Sequence, residues 1–131
     1  MATSQALSIV ESYYNAFRLG DATAVAAALG ELFHLEIVIE SPVVQHRHGG
    51  PLRGHQAAVA GAVSVAPFLK NVTIEASYVS ADGQGVATLI HFPSPVGEVF
   101  QSEHFEIDPH TSKIKRLRSY YDPRKLLPPG A

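Results

Sequence analysis

The stretch Leu35-Glu-Ile-Val-Ile-Glu40, closed by Ser41-Pro42, decides how the chain is read. It is rich in β-branched residues and alternates, which predicts a strand with Leu35, Ile37 and Ile39 on one face. Upstream the texture is helical. Across Ser4–Leu19, Leu7, Val10, Tyr14 and Phe17 form one apolar row, and Ala6, Val10, Tyr13 and Phe17 form a second that overlaps it. Gly20 suits the left-handed end of that helix, and Asp21 can cap the next, Ala22–Leu29, which Gly30 is expected to end. Downstream, Val43–Leu52 reads as a loop and Ala-rich Gly54–Val65 as a third helix stopped by Pro67. Four strands follow, at Val72–Ser80, Gly85–Phe92, Glu98–Ile107 and Lys113–Tyr121, with Asp82-Gly83 as a hairpin turn between the first two. Leu126–Ala131 reads as a tail. Helices segregated from a run of strands predict an α+β domain whose single sheet curls around the helices as a cone.

The 131 residues suit one domain, 1–131. Lys plus Arg is 10 and Asp plus Glu is 12, a net charge of −2, which disfavours a binder of nucleic acid through its phosphates. Charged residues make up 17% of the chain, against about 25% in ordinary domains, so a covered face or a lined interior is expected. There is no Cys, which excludes disulfides, thiolate nucleophiles and Cys-based metal sites. The N-terminus lacks the pattern of a signal peptide, and the longest apolar-rich stretch, Ala57–Leu69, is too short to span a membrane. The expectation is a soluble, cytoplasmic protein.

In Gln101-Ser-Glu-His-Phe-Glu-Ile107, alternation draws Glu103 inward with Phe105 and Ile107. Apolar walls disfavour an ionised carboxyl, so Glu103 is a candidate general acid or base; the other outcome is a Glu that reaches water or pairs with Arg. Tyr13 and Tyr14 lie near the apolar stripe of the first helix, where a hydroxyl meets either a ligand or the backbone. His91 lines the interior if Ala87, Leu89 and His91 face inward, and a His–carboxylate pair suits proton transfer. The opposite parity, Val86, Thr88, Ile90 and Phe92, fits at least as well and leaves His91 at solvent or an interface. His46, His48 and His55 cluster with Arg47 and Arg53, but no third metal ligand has a recognised spacing, so no metal is expected. Asn71-Val-Thr73 reads as a chance glycosylation match, and the glycine pairs open no phosphate-binding helix.

Taken in order, Tyr13-Tyr-Asn-Ala-Phe-Arg-Leu-Gly-Asp21, Ile39-Glu-Ser-Pro42, Pro51-Leu-Arg-Gly54, Ser94-Pro-Val-Gly97 and Lys113-Ile-Lys-Arg-Leu-Arg-Ser-Tyr-Tyr-Asp-Pro123 resemble the nuclear-transport-factor-two-like superfamily, and within it the SnoaL-like group. The resemblance covers nearly the whole chain. It implies a curved antiparallel or mixed sheet wrapped around about three N-terminal helices (a cystatin-like α+β barrel), a deep apolar cavity, and dimers through the outer sheet face. It does not fix a function, because the scaffold hosts isomerases, cyclases, dehydratases, epoxide hydrolases and non-catalytic binders. By this resemblance Glu103 falls where ketosteroid isomerases carry an acid that hydrogen-bonds the substrate oxygen, a known case of a carboxyl kept protonated. Tyr13 falls on a hydrogen-bonding tyrosine. Ser41 replaces the Asp base of those isomerases, and Ser119 replaces a catalytic Asp of cyclases and epoxide hydrolases.

The expectation is a cofactor-independent isomerase, cyclase or dehydratase acting on an apolar oxygenated molecule, polyketide- or terpenoid-like. Glu103, Tyr13 and His91 would be catalytic. Tyr14, Phe17, Ser41, His46, Phe68, Phe105, Ser119 and Tyr121 would contact substrate. A non-catalytic binder of a small ligand or a protein is the alternative, and the two missing Asp residues favour it.

Overall fold

Helix α1 runs Thr3–Phe17 and turns its apolar rows, Ala6, Val10, Tyr13, Tyr14 and Phe17, into the core. The computed structural model describes residues 3–124; the expected tail at 126–131 lies outside them. Gly20 takes φ +79°, a left-handed value that glycine adopts without a Cβ clash. The Asp21 carboxylate then accepts from the Ala24 N–H and caps helix α2, Ala22–Leu32. Gly30 does not end this helix as expected. The apolar stripe of Val25 and Leu29 carries on through it to Leu32, and burial of that stripe offsets the cost of one interior glycine, about 1 kcal/mol.

Strand β1, Phe33–Glu40, follows directly. Its facing differs from the expectation at one residue. Ile37 and Ile39 are buried, whereas Leu35 is 77% exposed. The pairing register shifts between Phe33 and Val38, so Phe33 takes the inward position and the intervening residues bulge away from the core. The expected loop after Ser41-Pro42 is instead a short helix, α3, Pro42–His48, with Ser41 as N-cap and Gly49 in the left-handed region at its end. Proline at the first turn of a helix costs no hydrogen bond, so Pro42 opens a helix as well as closing a strand. Strand β2, Leu52–Arg53, and helices α4, His55–Ser64, and α5, Ala66–Leu69, come next. Pro67 sits in the first turn of α5, so it starts a short helix where only a stop was expected.

Strands β3, Thr73–Val79, β4, Gly85–Ser94, β5, Gly97–Asp108, and β6, Lys113–Tyr120, agree with the expected four to within two residues at either end. They join one six-stranded sheet in the order β2-β1-β6-β5-β4-β3. The β1–β6 pair is parallel and the others are antiparallel, so the sheet is mixed. The sheet is curved and unclosed, the α+β arrangement of a mixed sheet around N-terminal helices that the sequence leads one to expect. Val86, Ile90 and Phe92 of β4, Phe105 and Ile107 of β5, and Ile114 and Leu117 of β6 pack inward against α1 and α2. Edge-to-face ring contacts join Tyr13 to Tyr14, Phe17 and Phe105 at centroid distances of 5.0–5.2 Å.

The bulge in β1 makes a sharp contrast between neighbours. Ile37→Ala should destabilise the fold by about 2–5 kcal/mol, the usual range for a large-to-small core change. Leu35→Ala should stay within about 0.5 kcal/mol, as exposed positions do. Urea unfolding of both variants checks this; equal losses would mean that Leu35 shares the buried face.

Candidate functional site

Strand register builds the site. Glu103 pairs with Thr88 on β4 and with Ser119 on β6, so three polar side chains stand in one row on the inner face. Helix α1 lays Tyr14 across the row. The Tyr14 hydroxyl donates to Glu103 Oε1 at 2.8 Å and lies 2.6 Å from Thr88 Oγ1. The Ser119 hydroxyl donates to Glu103 Oε2 at 2.8 Å. Glu103 is 2% exposed and Thr88 is fully buried; among the described residues these are the two buried polar or charged residues in an otherwise apolar core.

Burial pushes the Glu103 carboxyl above the ordinary range of a glutamate, and hydrogen bonds from Tyr14, Ser119 and Gln101 offset part of that rise. Tyr14 is raised by burial and then by the neighbouring Glu103 charge. Tyr13 is raised for the same two reasons in the same order, so its hydroxyl also lies within the field of Glu103. The chain Thr88–Tyr14–Glu103–Ser119 can run in two senses. With Glu103 ionised, Tyr14 and Ser119 donate inward and Thr88 donates to Tyr14. With Glu103 protonated, Tyr14 can turn its proton to Thr88 and accept from the acid. A carboxyl raised above the ordinary glutamate range, wired to two hydroxyls, is equipped to give or take a proton.

The expected site residues divide into those gathered here and those placed elsewhere. Glu103, Tyr14 and Ser119 are bonded together, and Tyr13, Phe17 and Phe105 pack around them as aromatic walls. Tyr14, not Tyr13, holds the hydrogen bond to the acid. Thr88 was not singled out from the sequence; its signal was a hydroxyl on the Val86–Ile90–Phe92 face, in register with Glu103.

His91 is a correction. Its strand turns Val86, Thr88, Ile90 and Phe92 inward, which puts His91 on the opposite face of the sheet from Glu103. There its ring lies between Glu98, 2.5 Å from Nδ1, and Glu75, 2.6 Å from Nε2. The bond to Glu98, and then that to Glu75, raise its pKa. Phe68 is also corrected: it is 36% exposed on α5 and does not join the walls. His46 is exposed on α3 rather than in a loop. Ser41 accepts from the Val44 N–H, and Tyr121 reaches Ser41 Oγ at 3.4 Å, so this pair fixes α3 against the strand ends.

Among the described residues, two of the surface hollows bear on the site. One, of about 510 Å³, lies between α3 and the ends of β1 and β6, with Ser41 and Ser119 in its lining. The other, of about 380 Å³, lies on the outer sheet face between Tyr78, Ala87, His104 and Arg116. Neither is lined by Glu103, Tyr13 or Tyr14; Ser119 links the first hollow to Glu103. Among the described residues no group of three His, Asp or Glu side chains is placed to hold a metal ion. No helix among them is long and apolar enough to cross a membrane.

No protein-family model matches the chain, and neither does any curated protein. Solved structures do. A steroid delta-isomerase from Pseudomonas aeruginosa superposes with a TM-score of 0.73 at 18% identity, over 91% of this chain and 80% of that one. SalBIII, an epoxide hydrolase/cyclase-like enzyme in pyran ring formation in polyether salinomycin, gives 0.68 at 21% identity, over 93% and 94%. A nuclear-transport-factor-two-like protein of unknown function from Mesorhizobium loti gives 0.71 at 22% identity, over 92% and 93%. At these identities the likeness establishes the fold: the chain has the nuclear-transport-factor-two-like, cystatin-like architecture.

The buried acid leaves a signature in stability. The folded state raises the pKa of Glu103, so its contribution is complete below the unfolded value near 4.5 and is lost as pH rises through the folded value. Glu103→Gln has no such proton to lose. The thermal midpoint of the variant, relative to that of the parent, should therefore climb as pH rises above 4.5. Scanning calorimetry over a pH series checks this; a constant difference would mean that Glu103 is not perturbed.

Proposed function

We propose that the protein is a cofactor-independent isomerase, cyclase or dehydratase, acting by acid–base chemistry on an apolar, oxygenated small molecule of secondary metabolism. The observation that carries this reading is the buried Glu103 carboxyl, held by Tyr14 and Ser119 among aromatic walls. Glu103 moves the proton. Tyr14, with Tyr13 beside it, steadies negative charge that develops on a substrate oxygen, since hydroxyls aimed at such charge are worth most where water is excluded. Phe17 and Phe105 supply apolar surface for the substrate body. The steroid isomerase and the cyclase-like enzyme on the same scaffold support the class of chemistry and not the substrate.

One observation favours a second reading. Both oxygens of Glu103 are already engaged by protein hydroxyls and the residue is almost fully covered, as suits a buried structural network in a non-catalytic binder. Glu103→Gln separates the two. Ligands that co-purify with the protein, identified by mass spectrometry, together with a panel of epoxides and β,γ-unsaturated ketones, serve as substrates for product analysis. On the enzymatic reading the variant keeps ligand affinity and loses about 10²–10⁴-fold in turnover, the usual share of a general acid or base. Turnover that survives unchanged removes Glu103 from the chemistry.

The same reading includes a homodimer formed through the outer sheet face. That face exposes Tyr78, Leu89, Phe100 and Tyr120, which supports an apolar contact with a second copy. Phe100→Glu should convert a dimer to a monomer in light scattering coupled to size exclusion; a parent that is already monomeric at micromolar concentration would overturn this part.

A further inference from the structure

Helix α3 folds back over the ends of β1 and β6, held there by the Ser41 cap and by the Tyr121 hydroxyl. The hollow of about 510 Å³ that remains beneath it falls in the range usual for small-molecule sites, about 300–1,000 Å³. Its lining has two characters. Pro42, Val44 and Pro51 give an apolar side; Arg53, Arg118 and Gln45 give a polar one.

Charge in the hollow does not balance. Glu40 is the acid in its lining, and Arg116, on the same outer sheet face but outside the hollow, already donates to Glu40 Oε1 at 2.6 Å. Arg118 Nε stands 3.4 Å from Glu40 Oε2 and makes no hydrogen bond there, although that nitrogen is buried. Arg53 is exposed, and among the described residues no hydrogen bond or ion pair engages its side chain. The lining of the hollow thus holds two guanidinium groups, Arg53 and Arg118, against one carboxylate that is also shared with Arg116 outside it, and the buried Arg118 Nε is left without a hydrogen bond. An unpaired buried donor costs free energy that a suitable acceptor returns.

We infer that this hollow binds a small organic carboxylate with an apolar body. The planar guanidinium fork matches a carboxylate in two parallel hydrogen bonds. A neutral ligand would leave the excess of Arg53 and Arg118 over Glu40 uncompensated, and a bare inorganic anion would leave the Pro42–Val44–Pro51 side uncovered. The occupant would lie one side chain from the buried acid, because Ser119 lines the hollow and donates to Glu103. The inference does not depend on chemistry at Glu103. Loss of the enzymatic reading would leave it standing, and its own failure would leave that reading intact.

Calorimetric titration of the full chain tests it, with benzoate and octanoate as probes, benzamide as the neutral counterpart of benzoate, and sulfate as a bare anion. Saturable binding of at least one carboxylate is expected, with benzamide and sulfate at least tenfold weaker. Arg118→Gln should lower carboxylate affinity about tenfold or more, as loss of a charge-assisted pair does. Arg53→Gln, at an exposed side chain with no structural partner, should lower it as well and guards against a folding defect in the first variant. Failure of both carboxylates to bind overturns the proposal. So does equal binding of benzamide, equal binding of sulfate, or affinity unchanged in both variants.

Discussion

The structure depends on keeping one carboxyl out of water. An ionised glutamate in an apolar core costs several kcal/mol unless its oxygens are satisfied or its proton is retained. Glu103 meets this demand in both ways. Its oxygens receive Tyr14 and Ser119, and burial raises its pKa. Each partner comes from a different element, so α1 must sit at one height above the sheet and β5 and β6 must hold one register. A slip of one residue in either strand would turn Glu103 or Ser119 to the other face.

The two faces of the sheet answer to different physics. The inner face is closed by aromatic rings at edge-to-face angles, and its polar groups satisfy one another. The outer face carries ionic groups in compact sets: His91 between Glu75 and Glu98 at one region, and Glu40 between Arg116 and Arg118 at another. An imidazole with a carboxylate at each nitrogen is satisfied only when both nitrogens carry protons, which agrees with the upward shift of His91. Large apolar side chains lie between these sets, which accounts for the low share of charged residues: few positions remain for solvated charge.

Much of this was legible in the sequence because it rests on period. The helical rows of α1, the Gly20-Asp21 junction and the alternation of 101–107 follow from spacing alone, and so does the inward turn of Glu103. What was not legible rests on register and on local exceptions. The bulge in β1 exposes Leu35 against a perfect alternation, because alternation in a sequence carries no record of extra residues in the pairing. His91 stood on a strand whose two parities were nearly equal in apolar content; only its partners across β3 and β5 decide the face. Tyr13 and Tyr14 are both buried, so burial could not tell which hydroxyl reaches the acid. Thr88 had no signal of its own until strand pairing set it opposite Glu103.

The two serines bear on what kind of site this is. Ser41 spends its hydroxyl on the first turn of α3, and Ser119 spends its own on Glu103. A carboxylate at 119 would stand against Glu103 as a like charge, and the pair would share one proton between them. With serine there, Glu103 meets hydroxyl and amide donors only, and the site holds a single titratable carboxyl. Among the described residues the hydrogen-bonded chain in this core therefore runs Thr88–Tyr14–Glu103–Ser119, with Glu103 its one carboxyl. On the acid–base reading proposed above, one carboxyl would both give and receive the proton.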